Sequence, residues 1–343
     1  MSDTAVRRLD AGTIDAWNGF VERHPEGTFF HQTDWTALLE DAYGFETHYI
    51  HAERDGRLCG VLPLALVDRP IIGRALISTP FCVIGGALAD DDGVACRLED
   101  AAADIADELG VDYIELRNHA RRRPDWTTRC GYYTFRRAIS ADPEANLKAI
   151  PKRQRAVVRK GLAAGLETRI DRDTECFYRL YAEGARNHGT PAYPRRHFST
   201  LQRVFGERCE VRIVEHDGAA VCGMMTFYFR DEVLPYYVGA RADARRLEAQ
   251  AYLYWEVMRR AGERGCRVFD YGRSYQGTGA FAFKKNWGFA PSALNYQCRA
   301  VGARDLPDIN PLNPKYRLAI ALWKRLPLPL ANRLGAWLSP GLC

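Results

Sequence analysis

The clearest pattern of hydrophobic and polar positions in this chain occurs twice. Residues 49–64 read YIHAERDGRLCGVLPL and residues 211–226 read VRIVEHDGAAVCGMMT. Each copy is a strand-like run, an Asp-Gly pair and a second apolar run that contains Cys-Gly. Because Asp-Gly supplies the positive φ angles that a tight turn needs, both segments are predicted to be β-hairpins.

The segments that follow the two hairpins also correspond. A helical pattern over residues 98–109 leads to the strand-like run 113–117, and a helical pattern over residues 249–263 leads to the run 268–271. Each half then reaches a glycine, an aromatic residue and a closing strand. The order predicts an α/β fold built as a tandem repeat of one unit. Two α/β domains that look alike by chance remain the alternative.

Length and composition agree with two folded domains. A chain of 343 residues is longer than one hydrophobic core usually organises. The composition, 47% hydrophobic and 27% charged, excludes a disordered or fibrous protein. The net charge of +5 is mild, so any anionic partner must be argued from where the basic residues lie.

The cysteines and the amino terminus indicate a reducing compartment. Ten cysteines are scattered without a C-x-x-C pair, which favours free thiols over disulfides or a structural zinc site. The opening MSDTAVRRLDAG lacks the apolar region of a signal peptide, and no apolar run approaches the roughly 18 residues that span a bilayer. We therefore expect a cytoplasmic protein.

A strongly basic segment lies between the two halves. Residues 148–160, KAIPKRQRAVVRK, contain six basic residues and no acidic one. Pro151 suits the first turn of a helix, on which Lys152, Arg155 and Arg159 would form one stripe. The stripe is predicted to contact phosphates, and a merely solvated helix face is the alternative.

A glycine-rich loop with basic residues follows the last predicted strand of the second half. Residues 267–289 read RVFDYGRSYQGTGAFAFKKNWGF. Glycines let the backbone approach a ligand closely, and the basic side chains bring positive charge to the same place. The loop is neither a Walker A motif nor a dinucleotide fingerprint, and the chain has no G-x-S-x-G or H-E-x-x-H motif. The positions of interest are Arg273, Gly277, Gly279, Lys284 and Lys285.

These residues resemble a known family. FDYGRS followed by a glycine-rich loop and FKKNWGF is similar to the element that closes the second domain of FemAB-type transferases. PKRQRAVVRKGLAAGLE and FFHQTDWTALL resemble two further segments of that family. The longer GRSYQGTGAFAFKKNWGF, GTPAYPRRHF and the tail NPLNPKYRLAIALWKRLPLPLANRLG resemble FemAB-related proteins associated with the PEP-CTERM exosortase system.

The resemblance implies an α/β (α+β) fold of two tandem GNAT-like acyltransferase domains. Each domain would contain a mixed, mostly antiparallel sheet with flanking helices. The implied bounds are residues 1–145 for the first domain and 146–303 for the second, which begins with the basic helix. Residues 304–343 would form a basic amphipathic tail.

The resemblance also implies transfer of an activated acyl or aminoacyl group to an amine. Lys284 matches the family lysine that stabilises the oxyanion, a role for which a fixed cation is suited. Asp270 matches the family aspartate and would accept a proton or orient Arg273. The donor, aminoacyl-tRNA or acyl-CoA, would be a co-substrate, with no bound cofactor and no metal. Residues expected to bind substrate are Arg273, Tyr271, Gly277, Gly279, Lys285, Tyr237, Lys152, Arg155 and Arg159.

Two departures bear on the substrates. Residues 237–249 correspond to the loop that binds the CoA pyrophosphate in ordinary GNAT enzymes, but they contain only one glycine, Gly239. Their basic residues Arg245 and Arg246 leave acyl-CoA as an alternative donor. Residues 38–41, LLED, lack the basic residue with which peptidoglycan-building relatives hold a nucleotide diphosphate. This departure argues against a muropeptide nucleotide as the acceptor. The resemblance to exosortase-associated proteins implies instead an envelope or exopolysaccharide-related acceptor, linked to a sugar or a lipid.

Other interpretations remain open at this stage. One is an acyl-CoA-dependent N-acyltransferase acting on a small amine or amino sugar. Another is a non-catalytic nucleic-acid-binding or scaffold protein that uses the basic helix.

Residues 313–338 contain five basic residues, no acid, and leucines at helical spacing. This tail is expected either to contact a membrane surface or to pack back on the protein.

Overall fold

The described chain folds into two compact units. A computed structural model describes residues 4–69, 72–302, 305–307, 310 and 312–342. The first unit takes in the described residues within 1–132, 293–309 and 340–343, and the second those within 133–292 and 310–339. Both units are therefore discontinuous in sequence.

Groups of consecutive strands are separated by helices along the chain. The strands are β1 (Thr4–Arg8), β2 (Glu46–Thr47), β3 (Ile50–Arg54), β4 (Arg57–Leu62), β5 (Leu64–Arg69), β6 (Gly73–Ser78), β7 (Leu88–Ala89), β8 (Tyr113–Asn118), β9 (Thr127–Arg129), β10 (Tyr132–Ala138), β11 (Glu167–Ile170), β12 (Cys209–His216), β13 (Ala219–Phe229), β14 (Glu232–Ala240), β15 (Val268–Asp270), β16 (Ser274–Tyr275), β17 (Pro291–Ala293) and β18 (Asn295–Ala300). The helices are α1 (Ile14–Arg23), α2 (Trp35–Ala37), α3 (Asp92–Leu109), α4 (Pro143–Ala149), α5 (Lys152–Leu162), α6 (Glu175–His188), α7 (Arg195–Phe205), α8 (Ala249–Glu263), α9 (Gly279–Asn286), α10 (Arg317–Trp323) and α11 (Leu328–Leu338).

In the first unit the strands form sheets against which α3 packs. One sheet has the order β1-β3-β4-β7 and the other β2-β5-β6-β8-β18-β9, in which β6 and β8 run parallel. The predicted hairpin is confirmed, because β3 and β4 turn at Asp55 and Gly56, both with positive φ. Helix α3 is capped by the Asp91 side chain, which accepts a hydrogen bond from the Val94 amide. Leu98 on its inner face is fully buried in the core.

In the second unit one sheet has the order β11-β12-β13-β14-β15-β10-β16. The second predicted hairpin is also confirmed, since β12 and β13 turn at Asp217 and Gly218, again with positive φ. Strand β14 pairs in parallel with β15 only near its start, through Glu232 and Val233. The later part of β14 runs on to Ala240 and leads through a short turn into α8. Both units thus have the mixed, mostly antiparallel sheets and flanking helices that the resemblance implied.

The closing strands of the two halves are exchanged. Strand β10 follows the first half in sequence but pairs with β15 of the second unit, with Arg136 opposite Asp270. Strand β18 follows the second half but pairs with β8 of the first unit, with Tyr296 opposite Arg117. The units therefore divide the chain at other positions than the bounds 145 and 303 expected from the sequence.

The carboxyl-terminal tail forms two short helices in the second unit. Helix α10 ends before Pro327, and α11 begins after it and packs against α6. None of the helices in the described part of the chain is both long and apolar enough to cross a bilayer.

Candidate functional site

Lys284 is a buried cation held by the loop that follows β15. It lies in α9, whose first turn is capped by the Thr278 hydroxyl accepting from the Phe281 amide. The side chain is only 7% exposed. Its Nζ donates hydrogen bonds to the carbonyl oxygens of Gly272 at 3.0 Å and Arg273 at 2.8 Å. The amine therefore fixes the loop to the helix.

Burial also changes the acidity of Lys284. Removing the ammonium from water lowers the pKa of Lys284 to about 7, which the negative charge of Asp270 partly opposes. The positive charge of Arg273 lowers this pKa further. An amine that titrates near neutral pH can both donate a hydrogen bond to developing negative charge and exchange a proton.

Asp270 stabilises the turn at the end of β15. Its Oδ1 accepts a hydrogen bond from the Gly272 amide at 2.6 Å, and its Oδ2 lies 3.4 Å from Nε of Arg136. Burial raises the pKa of Asp270, and the nearby Arg136 opposes that rise. Arg136 also forms an ion pair with Glu232, the first residue of β14. These contacts are those of a group that orients its neighbours.

A cleft of about 990 Å³ lies at the start of α8. Its walls come from α5, the end of α6, the turn that follows β14, the first turn of α8, and α9. Four basic side chains and one acidic side chain, Glu248, line it, so the cleft is net positive. The basic residues are Arg153, Arg241, Arg245 and Lys285.

The amino-terminal end of α8 adds to the attraction for anions. Helix amides at this end are oriented outward, and the helix dipole favours negative charge there. Gln250 and Ala251 of the first turn line the cleft. Arg241 is partly neutralised by Asp243 at 2.9 Å. Asn187 and His188, at the end of α6, provide further polar groups.

Only one of the predicted substrate-binding residues, Lys285, lines this cleft. The Lys284 amine is turned instead to the carbonyls of the β15 loop. Tyr237 is buried, and its hydroxyl lies 2.9 Å from Nε2 of His197. Tyr271 is 3% exposed and packs edge-on against Phe289.

The other predicted loop residues lie around the start of α9. Gly277 has a φ of +84°, a conformation that favours glycine. Gly279 is the first residue of α9, and a Cβ there would meet open space. Arg273 is half-buried, and its carbonyl accepts from Lys284. The structure thus brings Arg273 and Lys284 together but leaves a ligand role for the glycines as a prediction.

The basic stripe of α5 does not face the cleft. Lys152 and Arg159 are exposed on the helix surface. Arg155 donates to the carbonyl oxygens of Ile150 and Lys148, so it caps the end of α4. Arg153, which flanks the stripe in sequence, lines the cleft instead.

The sequence reasoning missed Arg153 and Arg241 as cleft residues. The buried positions of α5 could have located Arg153, because Val158 and Gly161 define the face that packs on the protein. A Cβ on Gly161 would lie 3.0 Å from Tyr252 of α8. Arg241 follows the last residue of β14. It lies within residues 237–249, the counterpart of the CoA pyrophosphate loop, and that position was the signal that could have found it.

Metal ligands are not grouped in the described residues. Within 4–69, 72–302, 305–307, 310 and 312–342, no three His, Cys, Asp or Glu side chains are placed so that they could hold a metal ion.

Comparisons with solved structures show the fold. A crystal structure of FemX superposes with a TM-score of 0.67 at 16% identity, covering 84% of this chain and 96% of that one. A tandem GNAT protein from the clavulanic acid biosynthesis pathway superposes with a TM-score of 0.56 at 13% identity, covering 88% and 100%. The carboxyl-terminal domain of a lysylphosphatidylglycerol synthetase from Agrobacterium fabrum superposes with a TM-score of 0.53 at 12% identity. The superposition covers 85% of this chain and 93% of that one.

Comparison with protein families identifies the chemistry. No curated protein matches by sequence. Residues 115–285 match the family described as Acetyltransferase (GNAT) domain. This segment takes in most of the second unit, with Lys284 and all the cleft residues except Asn286. GNAT acyltransferases use acyl-CoA as a co-substrate and need no metal. The chain therefore contains a GNAT-fold acetyltransferase domain, structurally similar to FemX and to tandem GNAT proteins, and is an acyltransferase.

Proposed function

We propose that this protein is a FemAB-like transferase that moves an activated aminoacyl or acyl group onto an amine of a cell-envelope or exopolysaccharide-related acceptor. The observation that carries the proposal is the net positive cleft at the start of α8, with the buried Lys284 amine in the adjoining helix α9. The association with a PEP-CTERM system rests on the sequence resemblance alone.

The cleft supports a donor with a phosphate-bearing end. Arg153, Arg245 and Lys285 supply positive charge to the cleft that the first turn of α8 lines. Acyl-CoA and aminoacyl-tRNA both carry phosphates that such a site would attract. Lys152 and Arg159 extend the positive surface of α5 beyond the cleft, which favours the larger polyanion, aminoacyl-tRNA.

Lys284 fits the transfer step. The neutral acceptor amine attacks the carbonyl carbon of the donor ester or thioester, and a C–N bond forms through a tetrahedral oxyanion. The C–O or C–S bond then breaks, and the proton lost from the amine balances the leaving alkoxide or thiolate, which departs as the free hydroxyl or thiol. An ammonium has three N–H donors, and the carbonyls of Gly272 and Arg273 use two of them. The third can stabilise the oxyanion. Asp270 keeps this amine charged more of the time by raising its pKa.

The loop between β15 and α9 completes the proposal. Arg273 and the backbone at Gly277 and Gly279 hold the end of the donor near Lys284. Tyr271 packs against Phe283 of α9 and Phe289 and so supports this region. Tyr237 is buried against His197 of α7 and has a supporting role within the domain. The protein works in the cytoplasm, with peripheral attachment at the inner membrane face.

A second candidate is an N-acyltransferase that uses acyl-CoA and acts on a small amine or amino sugar. The position of the cleft favours it, because the start of the helix after the fourth strand is where GNAT enzymes bind the CoA pyrophosphate. A scaffold without catalysis no longer fits a chain with an acyltransferase domain.

Donor binding separates the two candidates. The thermal unfolding temperature of the purified protein is measured with CoA, with acyl-CoA and with charged and uncharged tRNA. A rise with tRNA and none with CoA supports the FemAB-like proposal, and the reverse supports the N-acyltransferase. No rise with either donor would contradict a phosphate-binding role for the cleft.

A further inference from the structure

Exposed apolar side chains are concentrated in the carboxyl-terminal tail. Nine large apolar residues of the described chain are exposed, and six of them lie between positions 312 and 337. Contiguous exposed apolar surface on a folded protein marks an interaction site. The six residues are Leu312, Leu318, Leu322, Leu330, Leu334 and Trp337.

Helix α11 places small residues inward and large residues outward. A Cβ on Gly335 would lie 2.9 Å from the backbone nitrogen and oxygen of Ala192, so the helix backbone packs directly on the protein. The neighbouring inward residue, Ala331, is 2% exposed. The large apolar side chains at spacings of four and three residues form a separate, exposed stripe beside this inward face. They are Leu330, Leu334 and Trp337.

Helix α10 also has a side that packs on the protein and a side that faces outward. Ile320 packs over Gly189, where a Cβ would lie 2.5 Å from the isoleucine side chain. Arg186 donates to the carbonyl oxygen of Lys324 and holds the end of the helix. Leu318 and Leu322, one turn apart, are 72% and 57% exposed. The tail is therefore docked on its own domain through residues such as Ile320 and Gly335, while its exposed leucines and Trp337 face outward.

The charge around these residues is of one sign. From residue 313 to the end of the sequence there are five Lys and Arg and no Asp or Glu. Arg317, Lys324 and Arg325 are exposed beside the leucines, and Arg333 lies beside the α11 stripe. A second copy of the same face would bring like charges together. An anionic lipid surface would satisfy the cations and take up the leucines and the tryptophan.

We propose that this tail face, the outward side of α10 and α11, binds the surface of an anionic lipid bilayer. The leucines and Trp337 enter the boundary between headgroups and acyl chains, and the basic side chains lie on lipid phosphates. The proposal deepens the peripheral attachment included in the proposed function. The last turn of α6, with Asn187 and His188, lines the donor cleft, and Gly189 supports α10, so docking would bring the cleft to lipid-borne acceptors.

Vesicle sedimentation tests the tail face without any donor or acceptor. The full-length protein is mixed with vesicles of phosphatidylcholine alone or of phosphatidylcholine with phosphatidylglycerol. Wild-type protein should sediment with the anionic vesicles and stay in solution with the neutral ones. Replacing Leu318, Leu322 and Trp337 by Ser should lower the partition coefficient by more than about tenfold.

Matched variants separate charge from apolar contact. Replacing Arg317, Arg325 and Arg333 by Gln should also lower binding to anionic vesicles by more than about tenfold. Leu162→Ser is the control, because Leu162 is as exposed as Leu330, at 44%, but lies outside the tail. It should bind like wild type. Unchanged unfolding temperatures confirm that each variant is folded.

Three results would overturn the proposal. The first is wild-type protein that does not sediment with anionic vesicles. The second is a serine variant that binds them like wild type. The third is a concentration-dependent dimer that the same variant abolishes, which would assign the face to a second copy of the chain. Because no turnover is measured, the tail proposal can fail while the acyltransferase proposal stands.

Discussion

The Lys284 Nζ donates a hydrogen bond to the carbonyl oxygen of Arg273 at 2.8 Å, across the loop that joins β15 to α9. A second bond, to the Gly272 carbonyl, leaves one N–H of the ammonium for another acceptor. These two hydrogen bonds hold the loop in place and also fix the orientation of the Lys284 amine. Structure and chemistry at this position therefore depend on one buried charge.

The first prediction concerns stability and pH at Lys284. Burial lowers the pKa of Lys284 from 10.5 to about 7, so the unfolded state binds more protons than the folded state between these values. The cost of burying the ammonium is therefore fully present below pH 7 and is relieved as the pH rises towards 10.5. Between about pH 7 and 9, the free energy of unfolding of the wild type should rise on the order of 1–3 kcal/mol relative to that of Lys284→Met. Urea unfolding at several pH values measures this difference, and a constant difference would contradict it.

The second prediction concerns acid stability. Burial lowers the pKa of His31 to about 4 and that of His197 to about 3, so both are neutral in the folded protein. The unfolded state takes up their protons as the pH falls below 6.5, and stability is then lost by up to about 1.4 kcal/mol per pH unit for each histidine. Unfolding free energies measured from pH 7 to pH 4 check this. His197→Phe should flatten the dependence, although it loses the contact with Tyr237.

The third prediction separates the cleft from the stripe. Arg153→Gln with Arg245→Gln removes two cations that line the cleft, and Lys152→Gln with Arg159→Gln removes two exposed cations of α5. The cleft pair should weaken donor binding by more than about tenfold. The stripe pair should leave CoA binding unchanged but lower the salt dependence of tRNA binding by about one unit of slope per lost phosphate contact. Titrations at two salt concentrations measure both effects. Normal donor affinity in the cleft pair would exclude the cleft as the donor site.

The fourth prediction compares two glycines. A Cβ on Gly239 would lie 2.2 Å from the Tyr181 nitrogen of α6, whereas a Cβ on Gly279 would meet open space. Gly239→Ala should destabilise the protein by about 2–4 kcal/mol. Gly279→Ala should leave stability unchanged and weaken donor binding if the loop backbone approaches the donor. Thermal unfolding and donor titration of both variants decide this, and full donor affinity in Gly279→Ala would remove Gly279 from the binding site.

Local chemistry explains which parts of the fold could be predicted from the sequence. The two hairpins were predictable because Asp55-Gly56 and Asp217-Gly218 determine their turns within a few residues. The exchange of β10 and β18 was not, because both strands have ordinary strand patterns and the choice between β8 and β15 as partner is made by tertiary packing.

In the candidate site too, residue types could be predicted from the sequence, but their placement by tertiary packing could not. The basic character of α5 is evident from its composition, but the orientation of the helix depends on where Val158 packs. Arg153 thus faces the cleft while Arg159, in the predicted stripe, faces solvent. Lys284 could be selected from its resemblance to the family lysine, whereas its burial and its two carbonyl partners depend on how the loop folds back on α9.

The kinetics of Lys284→Met test the central claim most directly. Loss of one oxyanion-stabilising donor typically lowers turnover on the order of a hundredfold to a thousandfold. Lys285→Met is the matched control, because Lys285 is the next residue and lines the cleft, where its loss should raise the donor KM and leave kcat largely intact.

With a donor and acceptor pair that turns over, kcat and donor affinity are measured for the wild type and both variants. The account predicts a kcat for Lys284→Met at least about a hundredfold below wild type, with donor affinity nearly unchanged. It also predicts a wild-type rate that falls above about pH 7, as the Lys284 ammonium loses its proton. A Lys284→Met enzyme with near-normal kcat would contradict the assignment of Lys284 as the group that stabilises the oxyanion.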